Sequence, residues 1–101
     1  MDINARSGSS WTPLYVASTY GTPEAVRLLL ERGANPNAQT IDGWAPLHRA
    51  SFEGHLEVVR MLLEHGADVK LEDCHGRTAS QVAEEYRRDE VVKLLLEHKA
   101  N

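Results

Sequence analysis

Shifting the chain by 33 residues lays it over itself. Trp11 falls on Trp44, Pro13 on Pro46, Leu14 on Leu47 and Gly21 on Gly54, while Ala17 meets Ala50 and Ala83. Leu29-Leu30 meets Leu62-Leu63 and Leu95-Leu96, and Gly33-Ala34-Asn35 meets Gly66-Ala67-Asp68. Residues 7–39 and 40–72 agree at 14 of 33 positions, and residues 40–68 and 73–101 at 10 of 29, which is too many for coincidence. A period of this length marks a repeat architecture, and it restricts the fold more than anything else in the chain.

Each period reads the same way locally. Thr12 is a good helix N-cap, and Pro13 suits the first helical position, where its missing N–H costs nothing. The short helix that follows is expected to run to about Tyr20 and end at Gly21. Thr22-Pro23-Glu24 opens a second helix by the same rule, and Val26, Leu29 and Leu30 share one face of it. Gly33 supplies a left-handed C-terminal residue. From Asn35 to Asp42-Gly43 the chain is rich in Asn, Asp, Pro and Gly, the composition of a projecting excursion that closes in a tight turn. A helix pair this short cannot bury its apolar side alone, so neighbouring units must stack. Stacking explains the small residues Ala17, Ala50 and Ala83 in one column, where helices approach closely.

The run Gly43-Trp44-Ala45-Pro46-Leu47-His48-Arg49-Ala50, followed by Gly54-His55-Leu56-Glu57-Val58-Val59-Arg60-Met61-Leu62-Leu63-Glu64-His65-Gly66-Ala67-Asp68, strongly resembles the ankyrin repeat. The resemblance covers nearly the whole chain. It implies an all-α solenoid of helix–turn–helix units with projecting β-hairpin-like loops, here a single domain over 1–101. Residues 1–6 resemble the tail of a preceding repeat, since Asp2-Ile3-Asn4-Ala5 aligns with Asn35-Pro36-Asn37-Ala38. Repeats are expected over 7–39, 40–72 and 73–101, the last shortened. The start and the stop at Asn101, both in phase with the period, fit an array that is engineered or excised from a longer one.

The third repeat departs most. Ala79 and Ser80 stand where the others have proline and leucine, and Gln81 stands in the column of His48. Arg87 replaces Gly21 and Gly54, and Lys99 replaces Gly33 and Gly66. If those columns need positive φ, each substitution costs about 1 kcal/mol. The polar run from Glu84 to Glu90 points to a water-facing terminal cap, whereas the first repeat keeps Leu14, Val16 and Val26. Arg49 shares its column with Val16 and Val82, so it should seek a carboxylate: Glu53, Glu84, or one from a partner.

Composition removes several function classes. A net charge of −4 with scattered basic residues argues against nucleic acid, which calls for a basic face. Aliphatic runs such as Leu28-Leu29-Leu30 are far too short to cross a bilayer, and Met1 to Ala5 has neither the basic start nor the apolar stretch of a secretory signal. A single cysteine, Cys74, forms no internal disulfide and fits a reducing compartment. The expectation is a soluble cytoplasmic or nuclear chain with no membrane partner.

The ankyrin resemblance implies that a partner docks on the concave side, on loop tips and the exposed ends of the first helices. In this chain those positions are Gly8, Ser9, Trp11, Thr19 and Tyr20 in the first repeat. The second contributes Ile41, Asp42, Trp44, Phe52 and Glu53, and the third Cys74, His75, Arg77, Glu85 and Tyr86. Five of the six aromatic residues fall in this set, and the sixth, Tyr15, lies in the histidine column. Tryptophan and tyrosine bury large areas at low entropic cost and dominate interface hot spots. The competing reading is structural: Trp11 and Trp44 cover the loop bases, and Phe52 packs under a neighbouring loop.

Catalysis and cofactors find little support. His48 is expected to hydrogen-bond across its loop base, as the resemblance implies. His65 and His98 sit near second-helix C-termini, where imidazole meets the negative end of the dipole. Cys74-His75 are adjacent in an extended loop and point apart, so a thiol hydrolase at Cys74 would need His48 from the neighbouring repeat. No Cys/His spacing supplies a zinc site, and Gly8-Ser9-Ser10 lacks the lysine of a phosphate loop. The leading expectation is therefore a protein-binding module without cofactor, not an enzyme. The alternative is a scaffold whose surface serves homo-oligomer formation.

Overall fold

The computed structural model describes residues 3–6 and 10–100, excepting the side chains of the last two. Gly8 and Ser9, expected on the first loop tip, lie outside the described residues. The chain forms helices α1 (Pro13–Tyr20), α2 (Pro23–Glu31), α3 (Pro46–Glu53), α4 (Leu56–Glu64), α5 (Ala79–Glu85) and α6 (Asp89–Ala100), with no strand among the described residues. These are three antiparallel helix pairs, stacked side by side into a body of 36 × 27 × 22 Å. The first helices α1, α3 and α5 pack against one another more extensively than the second helices do, which curves the stack toward the first-helix side.

The caps follow the sequence with one exception. Thr12 Oγ1 accepts the Tyr15 N–H at 3.2 Å and Thr78 Oγ1 the Gln81 N–H at 3.4 Å. Thr22 makes no such bond, so α2 starts on Pro23 and its packing alone. The N-cap of α3 is Ala45, whose side chain has no acceptor, and His48 Nδ1 instead receives the Ala45 N–H at 3.2 Å. Gln81 Oε1 does the same for the Thr78 N–H at 2.9 Å, which explains why glutamine can stand in the histidine column.

Two substitutions in glycine columns turn out differently. Arg87 adopts φ 58°, the left-handed conformation that Gly21 and Gly54 hold at 67° and 76°, so the expected strain is present. At Lys99 it is not: α6 runs through this column to Ala100, and a helical residue there needs no positive φ.

The core is built by columns. Val58, Leu62, Ala50, Val82 and Ala83 have 0% exposure because the preceding helix pair covers them. Residues in the same columns of the first pair, Ala17, Ala25 and Leu29, are only half-buried, and Val16 is 37% exposed against none for Val82. The first pair therefore keeps apolar character on its open side, as expected. On the opposite end, every residue from Glu84 to Glu90 is exposed, so the third pair meets water with charge. Replacing a covered leucine such as Leu62 by alanine removes contacts on both neighbours and costs about 2–5 kcal/mol.

Candidate functional site

The projecting loops are closed like hairpins. Thr40 N–H donates to Trp44 O and Gly43 N–H to Thr40 O, both at 2.9 Å, and Asp73, Gly76 and Arg77 repeat the pattern at the same distances. The turn residues Gly43 and Gly76 have φ of 81° and 74°, and Ser10, in the same column, takes 64°. Successive loops are tied together, since the Cys74 N–H donates to Asp42 O at 3.1 Å. Backbone pairing thus holds the second and third tips side by side.

Asp73 organises the second and third loops. Its Oδ1 accepts the N–H groups of His75 and Arg77 at 2.9 Å each. Its Oδ2 accepts the Trp44 indole Nε1–H at 2.9 Å and the Arg77 Nε–H at 3.0 Å. Burial works against a charge here, but these donors outweigh it and hold the carboxyl well below the usual carboxylate range. Arg77 continues outward, its Nη1 meeting Glu85 Oε2 at 2.6 Å. Trp44 and Arg77 occupy equivalent positions one period apart, so one carboxylate orients two candidate contact residues.

The aromatic residues form two groups bridged by a cation. Trp44 packs on Phe52 with ring centroids 5.4 Å apart, and Phe52 on Tyr86 at 4.6 Å, edge to face. Trp11 packs on Tyr15 at 4.7 Å. Between them the Arg49 guanidinium lies 5.7 Å from the Trp11 ring and 5.4 Å from the Phe52 ring, and its Nη2 meets Glu53 Oε2 at 2.8 Å. Of the carboxylates expected for Arg49, Glu53 is the one it meets. Burial raises the Tyr15 hydroxyl pKa, and the adjacent Arg49 charge opposes that rise. A cleft of about 330 Å³ opens beside this assembly, lined by Trp11, Tyr15, Trp44 and Arg49 with Asp42 and Arg77.

The structure gathers most of the expected contact residues, though not as equals. Ile41 is 81% exposed, Tyr20 76% and Tyr86 45%, and Asp42, Cys74, His75 and Glu85 also reach solvent. Trp11, Trp44, Phe52, Glu53 and Arg77 are half-buried and serve the fold as well. Thr19 turns inward, its Oγ1 donating to Tyr15 O at 2.9 Å. Tyr20 makes none of the ring contacts that join the other aromatics. Three residues outside the expected contact set join this assembly: Asp73, Tyr15 and Arg49. Arg49 left a signal as a charge in a valine column and Tyr15 as an aromatic in the histidine column, whereas Asp73 left none.

Both ring nitrogens of His48 are committed to backbone groups. His48 accepts at Nδ1 from Ala45, so its proton sits on Nε2, which donates to Arg77 O at 2.9 Å. It spans its own loop base and the next loop, and neither nitrogen remains to activate Cys74. Burial pushes its pKa below the usual imidazole range, and the bond to Arg77 only partly restores it. Among the described residues no three His, Cys, Asp or Glu side chains converge as a metal site, and no helix is long and apolar enough to cross a membrane.

Fold and surface together define a helical repeat solenoid whose exposed aromatic and polar groups are displayed by a repetitive core. A family model for ankyrin repeats matches residues 1–73 and 35–101, with three copies. The chain belongs to the ankyrin repeat family. No match to a curated protein was found for it.

Proposed function

We propose that the chain is a protein-interaction module whose partner docks across the loop tips and first-helix ends, contacting Tyr20, Ile41, Trp44, Phe52, Glu53 and Tyr86, with Asp42, Cys74, His75, Arg77 and Glu85 around them. The observation that carries this reading is the contiguous Trp44–Phe52–Tyr86 group, locked from below by Asp73 and left open toward Tyr86. Rigid, partly exposed aromatics surrounded by polar groups are the composition of an interface hot spot. The repeats are assigned to 7–39, 40–72 and 73–101 of one domain. The module acts without catalysis or cofactor in the cytoplasm or nucleus, and at a net charge of −4 its partner is a protein and not a nucleic acid.

The test is photo-crosslinking in cells, with a photoreactive residue placed at position 20 or 41 on the proposed face, or at position 60 on the opposite side. Adducts formed from 20 and 41 but not from 60 support the reading. Adducts from 60 alone would move the interface to the second helices.

A second reading, self-association, is favoured by the open side of the first helix pair, where Val16 and Leu28 are 37% and 49% exposed. Light scattering over a wide concentration range decides it. A mass that rises with concentration and is insensitive to Trp44→Ala places assembly on that open side.

A further inference from the structure

Arg49 is foreign to its own column. Val16 and Val82 hold the equivalent positions, and Val82 is completely buried there, so valine is what the stack accommodates. Arg49 instead carries a guanidinium into the cleft wall, its side chain 24% exposed. Its Nε is sealed from solvent and has no hydrogen-bond partner. Buried donors without partners are uncommon, and local rules are most often broken where a site has a use for the exception. Glu53 engages this guanidinium through a single nitrogen and the Tyr15 hydroxyl hydrogen-bonds to it as well, while Trp11 and Phe52 flank it. These neighbours strip water from the cation but leave Nε of its planar fork of donors without a partner, and such a fork matches a carboxylate.

Of the other charged residues lining the cleft, Asp73 and Arg77 are spoken for and Asp42 is not. Four donors fill Asp73, and Arg77 is held between Asp73 and Glu85. Asp42, exposed on its loop tip at the cleft, has no hydrogen bond or ion pair to its carboxylate among the described residues. It disfavours a second acid nearby.

We propose that the cleft beside Trp11, Trp44 and Arg49 is an anchor pocket for one acidic side chain of the partner, an aspartate or glutamate in an otherwise uncharged or basic segment. The incoming carboxylate displaces Glu53 and takes the guanidinium between the rings. This rests on the loop-tip and first-helix face being the docking surface.

The probes are N-acetyl-glutamate amide and N-acetyl-lysine amide, titrated at constant ionic strength and followed by nuclear magnetic resonance at the Arg49 Nε–H and the Trp11 and Trp44 indole N–H. The acid is expected to give saturable shifts in the millimolar range and the lysine derivative none. Glu53→Gln removes the internal competitor and tightens the acid several-fold. Arg49→Val weakens it by about 10- to 100-fold while the protein stays at least as stable, because valine suits the column. Arg49→Lys, which keeps the charge but not the fork, gives an intermediate loss and guards against misfolding of the valine variant. Binding of the lysine derivative, weaker acid binding in Glu53→Gln, or no saturable shift at Arg49 overturns the proposal. A partner that crosslinks from positions 20 and 41 yet binds Arg49→Val unchanged sinks the anchor and leaves the docking surface standing. Acid binding without such crosslinks does the reverse.

Discussion

The Trp44 indole and the Asp73 carboxylate meet at 2.9 Å across the gap between two successive loops, 29 residues apart in sequence. Asp73 also binds three groups of its own loop, and its side chain is 1% exposed. Asp73→Ala therefore orphans several donors at once and is expected to cost about 2–4 kcal/mol. The measurement is chemical denaturation, with the Trp44 indole proton resonance as a local reporter. Loss of stability without a change at that resonance would separate the loop's fold from the tryptophan's orientation.

Acid should weaken the fold in two steps. His48 is kept neutral in the folded chain, with its pKa below the ordinary 6.5. Below that pH the unfolded chain takes up a proton that the folded one refuses, so this stability is complete above 6.5 and is lost as pH falls, by at most about 1.4 kcal/mol per pH unit. Asp73 has a depressed pKa, so its contribution is complete above the ordinary 3.8 and declines below it. Urea midpoints measured from neutral to acidic pH should show both declines. His48→Gln, which borrows the residue of the third repeat, should remove the first and leave the second. An unchanged first step in that variant assigns it to another group.

Gly43 and Gly76 hold the same turn position with φ of 81° and 74°, yet they should tolerate alanine differently. A Cβ at Gly43 would lie 2.8 Å from the Cys74 nitrogen and 2.9 Å from Asp73 Cα, whereas one at Gly76 meets nothing within 4 Å. Gly76→Ala is expected to cost about 1 kcal/mol from conformation alone, and Gly43→Ala about 2–4 kcal/mol. Equal losses on thermal denaturation would show that the loops separate easily.

Arg87 holds the left-handed conformation with an exposed side chain that makes no hydrogen bond or ion pair among the described residues. Arg87→Gly should stabilise the chain by about 0.5–1 kcal/mol, or roughly 2–8 °C in Tm, after the extra freedom of glycine in the unfolded chain is deducted. A lower Tm would mean that Arg87 supports the third pair in some other way.

The period of 33 residues, the cap at Thr12 and the glycine stops at Gly21 and Gly54 were sufficient to read the helix pairs, their order and their stacking, because these are local rules repeated in phase. Thr22 and Lys99 escaped that logic: a cap needs a particular rotamer, and a glycine column matters only where the helix actually ends. The aromatic row was legible as a set of positions, but Tyr20 stands apart from it and Tyr15 joins it. Ring contacts depend on the distance between neighbouring units, which no single unit encodes.

Sequence alone thus determined the architecture and the oddity of a charge at Arg49. Only the tertiary structure decided that Asp73 grips Trp44 and Arg77 together, that His48 bridges to the next loop, and that Arg49 lies between Trp11 and Phe52. Those contacts join residues about one period apart, and their geometry exists only once the helix pairs are stacked.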